Sequence, residues 1–276
     1  MAHSIRKAFS SQWEDTDQLD RLLGSIAQAG FDGIEPTFNP GAIPSPQSWR
    51  DQAEDLKHRC ADLGLSIPSM RGGGQFWKSI PAEDAASRRG AVDYAREALD
   101  CLAALGGNVL LVVPGMRLPG VTYRDHWQRV LDFARSAGDE AAARGLTIGL
   151  ENVEARFPLS VRDWRDLLGD IDHPAVRMYL DVGNVVWLDA GYPEHWLREL
   201  ADHVVQVHFK DAHRGRMLRN LLAGDVNWPA VACALRAIGY DGWVCCEPEW
   251  YRHAPWRLPE RLARDMDTIL DSRNTL

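Results

Sequence analysis

Short apolar runs alternate with longer amphipathic stretches along the chain, and this alternation predicts strands and helices in turn. The runs predicted as strands are Arg6–Ser10, Gly33–Phe38, Ser66–Met70, Asn108–Val113, Thr147–Glu151, Arg177–Asp181, Val204–Lys210 and Trp243–Glu247. The stretches predicted as helices are Asp17–Ala29, Gln47–Leu63, Ala82–Leu105, Tyr123–Arg144, Val161–Leu168, Pro193–Leu200, Trp228–Ile238 and Pro259–Leu270. Eight strand–helix units in this order predict an α/β fold, a single (β/α)8 TIM barrel domain over residues 1–276.

Polar residues and glycines mark the boundaries of these helices. Thr122 with Asp125, and Ser160 with Asp163, fit the pattern of a helix start capped by a side-chain oxygen. Glycine follows five of the helices, at positions 30, 64, 106, 145 and 239. The sequence contains no G-x-G-x-x-G or Walker motif, which argues against a doubly wound nucleotide-binding sheet.

Charge and composition exclude several classes of protein. Among 276 residues, 31 Lys and Arg stand against 39 Asp and Glu, a net charge of −8. This balance argues against a nucleic-acid-binding protein, which presents a basic surface. No apolar run approaches the roughly 18 residues of a membrane span, so no membrane association is expected. The five cysteines form no C-x-x-C pair, and with no apolar N-terminal leader they indicate a cytoplasmic protein.

An ionisable residue lies near the C-terminal end of each of the last four predicted strands. Because strand side chains alternate between two faces, one phase of each strand packs under helices and the other faces the barrel axis. The inward phase carries Glu151, Asp181, His208 followed by Lys210, and Glu247. Active sites of such barrels lie at this end, so these side chains are expected to converge at its mouth.

Three carboxylates and an imidazole at one mouth repel and lose hydration unless a cation lies among them. Oxygen ligands with one imidazole suit Mn²⁺, Co²⁺, Mg²⁺ or Zn²⁺. The alternative is private pairing, of Lys210 with Glu151 or Glu247 and of Arg177 with Asp181. The shared phase on successive strands favours a site for one divalent metal ion.

The segments that carry these residues resemble the xylose isomerase-like barrel superfamily of sugar-phosphate isomerases and epimerases, inosose dehydratases and endonuclease IV-type nucleases. The similar segments are Gly30–Glu35, Leu150–Asn152, Tyr179–Asn184, Val207–Asp211, Gly224–Trp228 and Gly239–Glu247. Within the group the chain most resembles ketose 3-epimerases of the L-ribulose/L-xylulose 5-phosphate type. The resemblance implies that Glu151, Asp181, His208 and Glu247 bind one divalent ion, often Mn²⁺. It also implies a ketose or ketose phosphate as substrate.

The two glutamates at opposite walls suggest a definite chemistry. The strands that carry Glu151 and Glu247 are three steps apart in an eight-stranded ring, so the two carboxylates would approach a substrate from opposite faces. A metal ion that chelates a ketose carbonyl stabilises an enediolate. One glutamate would remove the proton beside the carbonyl and the other would return it, which inverts the carbon. This predicts a metal-dependent sugar isomerase or epimerase.

Four further residues are predicted to contact or support the substrate. They are Glu35, Asn184, Lys210 and Arg214. Glu35 and Lys210 are expected to support the site or to form structural ion pairs. Arg214 is expected to contact substrate by resemblance to the epimerases. Asn184 stands where many epimerases of free ketoses have histidine, which argues for a different substrate.

A basic segment follows the seventh strand. It contains His213, Arg214, Arg216 and Arg219, which suit a phosphate, a solvated loop or a subunit contact. Arg71–Gly74 suits a lid, an anion-binding loop or an ordinary loop. Trp13, Trp77, Trp187 and Trp250 are candidates to wall a sugar site. The aromatic tail of Pro248, Trp250, Tyr251 and Trp256 has two interpretations, a cover for the site or a contact in a homo-oligomer.

Three other functions are compatible with parts of this pattern. The same ligands serve an inosose dehydratase-like lyase if a hydroxyl leaves beside the abstracted proton. A non-catalytic carbohydrate-binding barrel is a further alternative, although the four intact candidate ligands argue against it. An endonuclease IV-type nuclease has Asp-x-x-His at the sixth strand, whereas Asp181 is followed by Asn184 at that spacing.

Overall fold

A computed structural model describes residues 5–13, 16–217, 220–248 and 254–271, and a parallel sheet of eight strands forms its centre. The strands are β1 (Arg6–Ser10), β2 (Gly33–Glu35), β3 (Ser69–Arg71), β4 (Val109–Val112), β5 (Thr147–Glu151), β6 (Val176–Asp181), β7 (Val204–Phe209) and β10 (Trp243–Cys246). A short antiparallel hairpin, β8 (Ala212–His213) and β9 (Arg216–Met217), follows β7.

The sheet closes on itself. Its hydrogen-bonded order is β2-β1-β10-β7-β6-β5-β4-β3. Two parallel bridges, Gly33 with Ser66 and Thr37 with Arg71, join the outer strands. This seam requires glycine at position 33, because a Cβ atom there would lie 2.5 Å from the Ser66 carbonyl oxygen. The predicted (β/α)8 TIM barrel is therefore confirmed.

Helices surround the barrel and pack their apolar faces against it. They are α1 (Thr16–Gln28), α2 (Trp49–Asp62), α3 (Phe76–Ser79), α4 (Ala85–Leu105), α5 (Tyr123–Ala142), α6 (Val161–Ile171), α7 (Val182–Trp187), α8 (Pro193–Glu199), α9 (Trp228–Ala237) and α10 (Leu258–Asp271), with a 3₁₀ turn at Pro255–Arg257. The predicted caps are confirmed, since Thr122 and Ser160 accept hydrogen bonds from the N–H groups of Asp125 and Asp163. None of the helices in the described ranges combines the length and apolar composition that a bilayer crossing requires.

The structure differs from the sequence prediction at a few boundaries. β3 begins at Ser69 rather than Ser66, because Pro68 has no N–H group to donate to a neighbouring strand. The short helices α3 and α7 were not predicted. α7 starts directly at the end of β6, where Asp181 Oδ1 accepts a 2.8 Å hydrogen bond from the N–H group of Asn184. The same residue therefore ends a strand and caps a helix.

The loop after β7 is organised around one buried carboxylate, that of Asp211. Its two oxygens accept hydrogen bonds from the backbone N–H groups of Ala212, Ala223, Gly224 and Val226 and from Trp228 Nε1. All five partners are donors, so only a side chain with two acceptor oxygens satisfies them. This arrangement anchors the segment that follows Lys210 at the barrel mouth.

Asp211→Asn should lower the free energy of unfolding by about 2 kcal/mol, because the amide N–H₂ group would face donors and leave buried groups unpaired. Chemical denaturation of the purified protein measures this change. Asp225→Asn is the matched control, since Asp225 is exposed on the same loop and should cost less than about 1 kcal/mol. Equal stability of wild type and Asp211→Asn would contradict the assignment.

Candidate active site

A pocket of about 410 Å³ opens at the C-terminal ends of the barrel strands. Its lining is Gln12, Thr37, Asn39, Arg71, Gly73, Gly74, Trp77, Leu111, Val113, Glu151, Val153, Glu154, Asn184, Trp187, Lys210 and Glu247. Active sites of this fold lie at the same end of the barrel. The pocket is therefore the candidate active site.

Three potential metal ligands meet at the floor of the pocket, where Glu151 lines it and Asp181 and His208 are buried behind Glu151 without lining it. Donor atoms of Glu151, Asp181 and His208 all lie within 4.8 Å of one another, and this is the group that the described residues bring together. His208 Nδ1 is 2.9 Å from Glu151 Oε1 and 3.9 Å from Asp181 Oδ2. All three side chains are buried, as expected for the inward phase of β5, β6 and β7.

Lys210 and Arg71 form ion pairs with Glu247, the fourth predicted ligand. Lys210 Nζ lies 2.6 Å from Glu247 Oε2 and 2.8 Å from Asp181 Oδ2. Arg71 Nη1 donates to Glu247 Oε1 at 2.9 Å, and Arg71 Nε donates to Thr37 Oγ1. Glu247 thus faces the three-residue cluster across the ammonium group of Lys210. Its role as a metal ligand stays a prediction.

The residues at the floor fit a divalent metal ion. Two carboxylates and an imidazole are a donor set that Mn²⁺, Co²⁺, Mg²⁺ and Zn²⁺ accept. Asp181 Oδ2 is buried, and within the described chain it forms an ion pair with Lys210 but no hydrogen bond of good geometry. An oxygen in this condition keeps a lone pair for a cation. An ion bound here would contact Glu151, Asp181 and His208.

Glu35 lies beneath this cluster inside the barrel. Its carboxylate is fully buried and accepts hydrogen bonds from Ser10 Oγ, Ser69 Oγ and Tyr179 OH, each at 2.6 Å. His208 Nε2 lies 2.7 Å from Glu35 Oε1. The imidazole is therefore held between two carboxylates, those of Glu35 below and Glu151 above.

Burial and charge shift the pKa values of Glu35 and His208 in opposite directions. Burial alone would raise the pKa of Glu35, but the charge and hydrogen bond of His208 outweigh it and lower the pKa to about 2. Burial alone would lower the pKa of His208, but Glu35 and Glu151 outweigh it and raise the pKa to about 10. The metal-free site therefore holds His208 as an imidazolium near neutral pH.

Glu151 and Lys210 line the pocket, and different causes dominate their pKa values. Burial is the main cause that raises the pKa of Glu151 to about 7, although His208 opposes it. Burial would lower the pKa of Lys210, but Asp181 and Glu247 hold it above its usual range. Glu151 is therefore poised to exchange a proton near neutral pH.

The structure places the other predicted residues in two groups. Asn184 lines the pocket, and its Nδ2 donates to the Asn152 carbonyl at 2.7 Å. Trp77 and Trp187 also line it, whereas Trp13 does not. Arg214 is not one of the lining residues, because its side chain forms an ion pair with Asp189 and stacks on Tyr192.

Several predicted contributions lie elsewhere or were missed. Arg219, Trp250 and Tyr251 lie outside the described residues. Trp256 packs against Arg21 of α1, with the guanidinium 3.4 Å from the ring centre. The direct contact of Arg71 with Glu247 was not predicted. The signal that could have found it is strand alternation: Ser69 and Arg71 share the inward phase of the third strand, as Glu35 lies on the inward phase of the second.

The stability of the metal-free protein should depend on pH through His208. The imidazole has a pKa of about 10 in the folded state against 6.5 as a model value, so its contribution is complete below pH 6.5 and is lost as pH rises towards 10. In the presence of EDTA, the difference in unfolding free energy between wild type and His208→Gln should therefore shrink over this range.

His58→Gln, on an exposed position of α2, is the matched control and should follow the wild-type profile. Denaturation at pH 6, 8 and about 10 measures the three proteins. A wild-type advantage over His208→Gln that is constant or grows with pH would contradict the charged pairing of His208.

Comparison with known proteins agrees with this architecture. The model of the xylose isomerase-like TIM barrel family matches residues 23–271. An L-ribulose 3-epimerase of Mesorhizobium japonicum is 28% identical over 233 residues, which are 81% of this chain and 73% of the relative. An inosose dehydratase of Lactiplantibacillus plantarum is 23% identical over 267 residues, covering 84% of this chain and 82% of the relative.

Solved structures share the same fold. A D-allulose 3-epimerase from Methylomonas sp., in complex with D-allulose, superposes with a TM-score of 0.80 at 19% identity, and the match covers 99% of this chain and 98% of that one. The family model spans nearly the whole barrel and includes every strand that contributes to the pocket except β1. The chain belongs to the xylose isomerase-like TIM barrel family.

Proposed function

We propose that the protein is a divalent-metal-dependent epimerase or isomerase of an uncharged ketose, which inverts the carbon next to the carbonyl or moves the carbonyl to that carbon. The observation that carries this proposal is the cluster of Glu151, Asp181 and His208, because Glu151 lines the same pocket as Glu247. A carboxylate pair beside a metal site suits proton transfer next to a carbonyl. The similarity to an L-ribulose 3-epimerase supports the same chemistry.

Metal binding would fall to the three residues at the pocket floor. An ion bound there would polarise the ketose carbonyl and stabilise the negative charge that develops on its oxygen. Mn²⁺ is the ion we expect, with Co²⁺, Mg²⁺ and Zn²⁺ as alternatives that suit the same donors. The orientation of Asp181 suits this role, because its other oxygen, Oδ1, is fixed by the hydrogen bond that caps α7.

Glu151 and Glu247 would carry the proton. β5 and β10 are separated in the sheet by β6 and β7, so the two glutamates approach the pocket from well-separated walls. Glu151 would bind the ion through one carboxylate oxygen and exchange the proton through the other. Arg71 and Lys210 fix both oxygens of Glu247 and so set the direction from which it approaches the substrate.

The pocket wall indicates an uncharged substrate. Within the described lining the basic residues are Arg71 and Lys210, and both already contact Glu247. The amides of Gln12 and Asn39 also line the pocket and suit sugar hydroxyls. Trp77 offers an aromatic face for the C–H groups of a sugar. These contacts favour an unphosphorylated ketose over a ketose phosphate, and we give them more weight than Asn184, whose difference from the histidine of many free-ketose epimerases argues the other way.

A dehydratase is the second candidate, favoured by the similarity to an inosose dehydratase. The first step would be the same proton removal by a glutamate. The difference is that a neighbouring hydroxyl group leaves as water, with a proton donated by the second glutamate in its protonated form. The products distinguish the two functions, because an epimer has the same mass as its substrate whereas a dehydration product has lost one water.

The test is incubation of Mn²⁺-loaded protein in D₂O with a panel of ketoses, ketose phosphates and keto-inositols. We expect deuterium to enter an unphosphorylated ketose at the carbon next to the carbonyl. Glu151→Gln and Glu247→Gln should each slow this exchange by about 10²-fold or more, which is typical for loss of a general acid or base. Mass spectrometry and NMR of the products measure both the exchange and its position.

Two controls make the result specific. Glu54→Gln, on an exposed position of α2, should retain the wild-type rate. The metal content of each variant separates loss of proton transfer from loss of the ion. Wild-type exchange in both glutamate variants would refute the two-carboxylate mechanism. Turnover of phosphates alone would refute the substrate class, and products lighter by one water would identify a dehydratase.

A further inference from the structure

The mechanism gives no role to the carboxylate of Glu35 at the end of β2, which lies inside the barrel next to the site. It is fully buried and does not line the pocket. A carboxylate in such a place loses its hydration, a cost of several kcal/mol unless hydrogen bonds replace the lost water. Its partners show what it does there.

The direction of each hydrogen bond to Glu35 can be read from the network. Ser69 Oγ accepts a hydrogen bond from Gln206 Nε2 at 2.6 Å, so the Ser69 hydroxyl hydrogen is available for Glu35 Oε2 at 2.6 Å. Tyr179 OH donates to the same oxygen, and Ser10 Oγ donates to Oε1. Glu35 is therefore the acceptor in this network.

This direction fixes the tautomer of the histidine above it. A carboxylate has no hydrogen to give, so His208 Nε2, 2.7 Å from Glu35 Oε1, must carry a hydrogen and donate it. The other ring nitrogen, Nδ1, faces Glu151 and Asp181 in the pocket floor. When Nδ1 loses its proton, its lone pair points at the two carboxylates.

We propose that Glu35 is a positioning residue that holds His208 as the Nε2–H tautomer and makes Nδ1 the nitrogen that binds the metal ion. The inference rests on the proposed function, because it requires a metal site at Glu151, Asp181 and His208. It replaces the substrate contact predicted for Glu35 with a role one layer below the pocket. Carboxylates that accept a hydrogen bond from a metal-binding histidine orient the ring and raise its basicity.

Glu35→Gln should weaken Mn²⁺ binding about 10- to 100-fold, the usual effect of losing such a partner. The glutamine has one acceptor oxygen for three hydroxyl donors and no charge to favour the Nε2–H group. Isothermal titration of the metal-free protein with Mn²⁺ measures the change. Thermal denaturation of each variant shows whether the protein is folded at the temperature of the titration.

Tyr179→Phe is the matched control. It removes a donor to the same carboxylate and leaves the Glu35–His208 contact in place. We expect its Mn²⁺ affinity to stay within about twofold of wild type, since its partner is not the imidazole. A purely structural role of Glu35 would instead lower the melting temperature of both variants and leave both metal affinities unchanged, which would overturn the proposal.

A measurement on the unmutated chain does not depend on how Glu35→Gln folds. Long-range ¹H–¹⁵N NMR of the Zn²⁺-loaded protein should show a hydrogen on His208 Nε2 and none on Nδ1. The reverse tautomer would overturn the proposal. Glu35→Gln that binds Mn²⁺ as wild type does would also overturn it, while the proposed function would stand. Wild type that binds no Mn²⁺ would overturn both.

Discussion

The burial of acidic side chains inside a closed barrel is the constraint on which the rest of the site depends. Glu35, Glu151 and Asp181 are all removed from water, and each would be expensive to keep there alone. The barrel places a basic group against each of them. His208 lies between Glu35 and Glu151, and Lys210 contacts Asp181, so opposite charges and hydrogen bonds offset the lost hydration.

The same constraint orders the site in two layers. In the lower layer, hydroxyl groups, an amide and Glu35 form a network with defined hydrogen-bond directions, which holds His208 from below. In the upper layer, cations hold Glu247 and Asp181 at the open pocket. A rigid lower layer lets the upper groups keep fixed positions while the pocket admits substrate. Such support is what precise placement of reacting groups requires.

Much of this arrangement could be predicted from the sequence, because strand alternation and the order of the elements are local signals. The inward phase of four strands predicts that Glu151, Asp181, His208 and Glu247 converge at one end of the barrel, and the structure brings the first three together. The sequence indicates Glu247 as one of two possible partners of Lys210, but it does not predict that Asp181 is the other. Lys210 contacts both Asp181 and Glu247, and that depends on the separation of neighbouring strands.

Loops and short strands limited the prediction further. The residue type of Arg214 suits an anion, but in the hairpin after β7 its side chain forms an ion pair with Asp189. Arg71 reaches Glu247 only because barrel closure brings β3 beside β2 and across the mouth from β10. α7 was missed because Asp181 carries two signals at once, a strand end and a helix cap.

The most direct test of the central claim is the position of the metal ion. Crystals grown with Mn²⁺ should give an anomalous difference peak within about 2.5 Å of Glu151, Asp181 and His208 Nδ1. A peak at any other place in the molecule, or no peak at this one with Mn²⁺ in excess, would contradict the account.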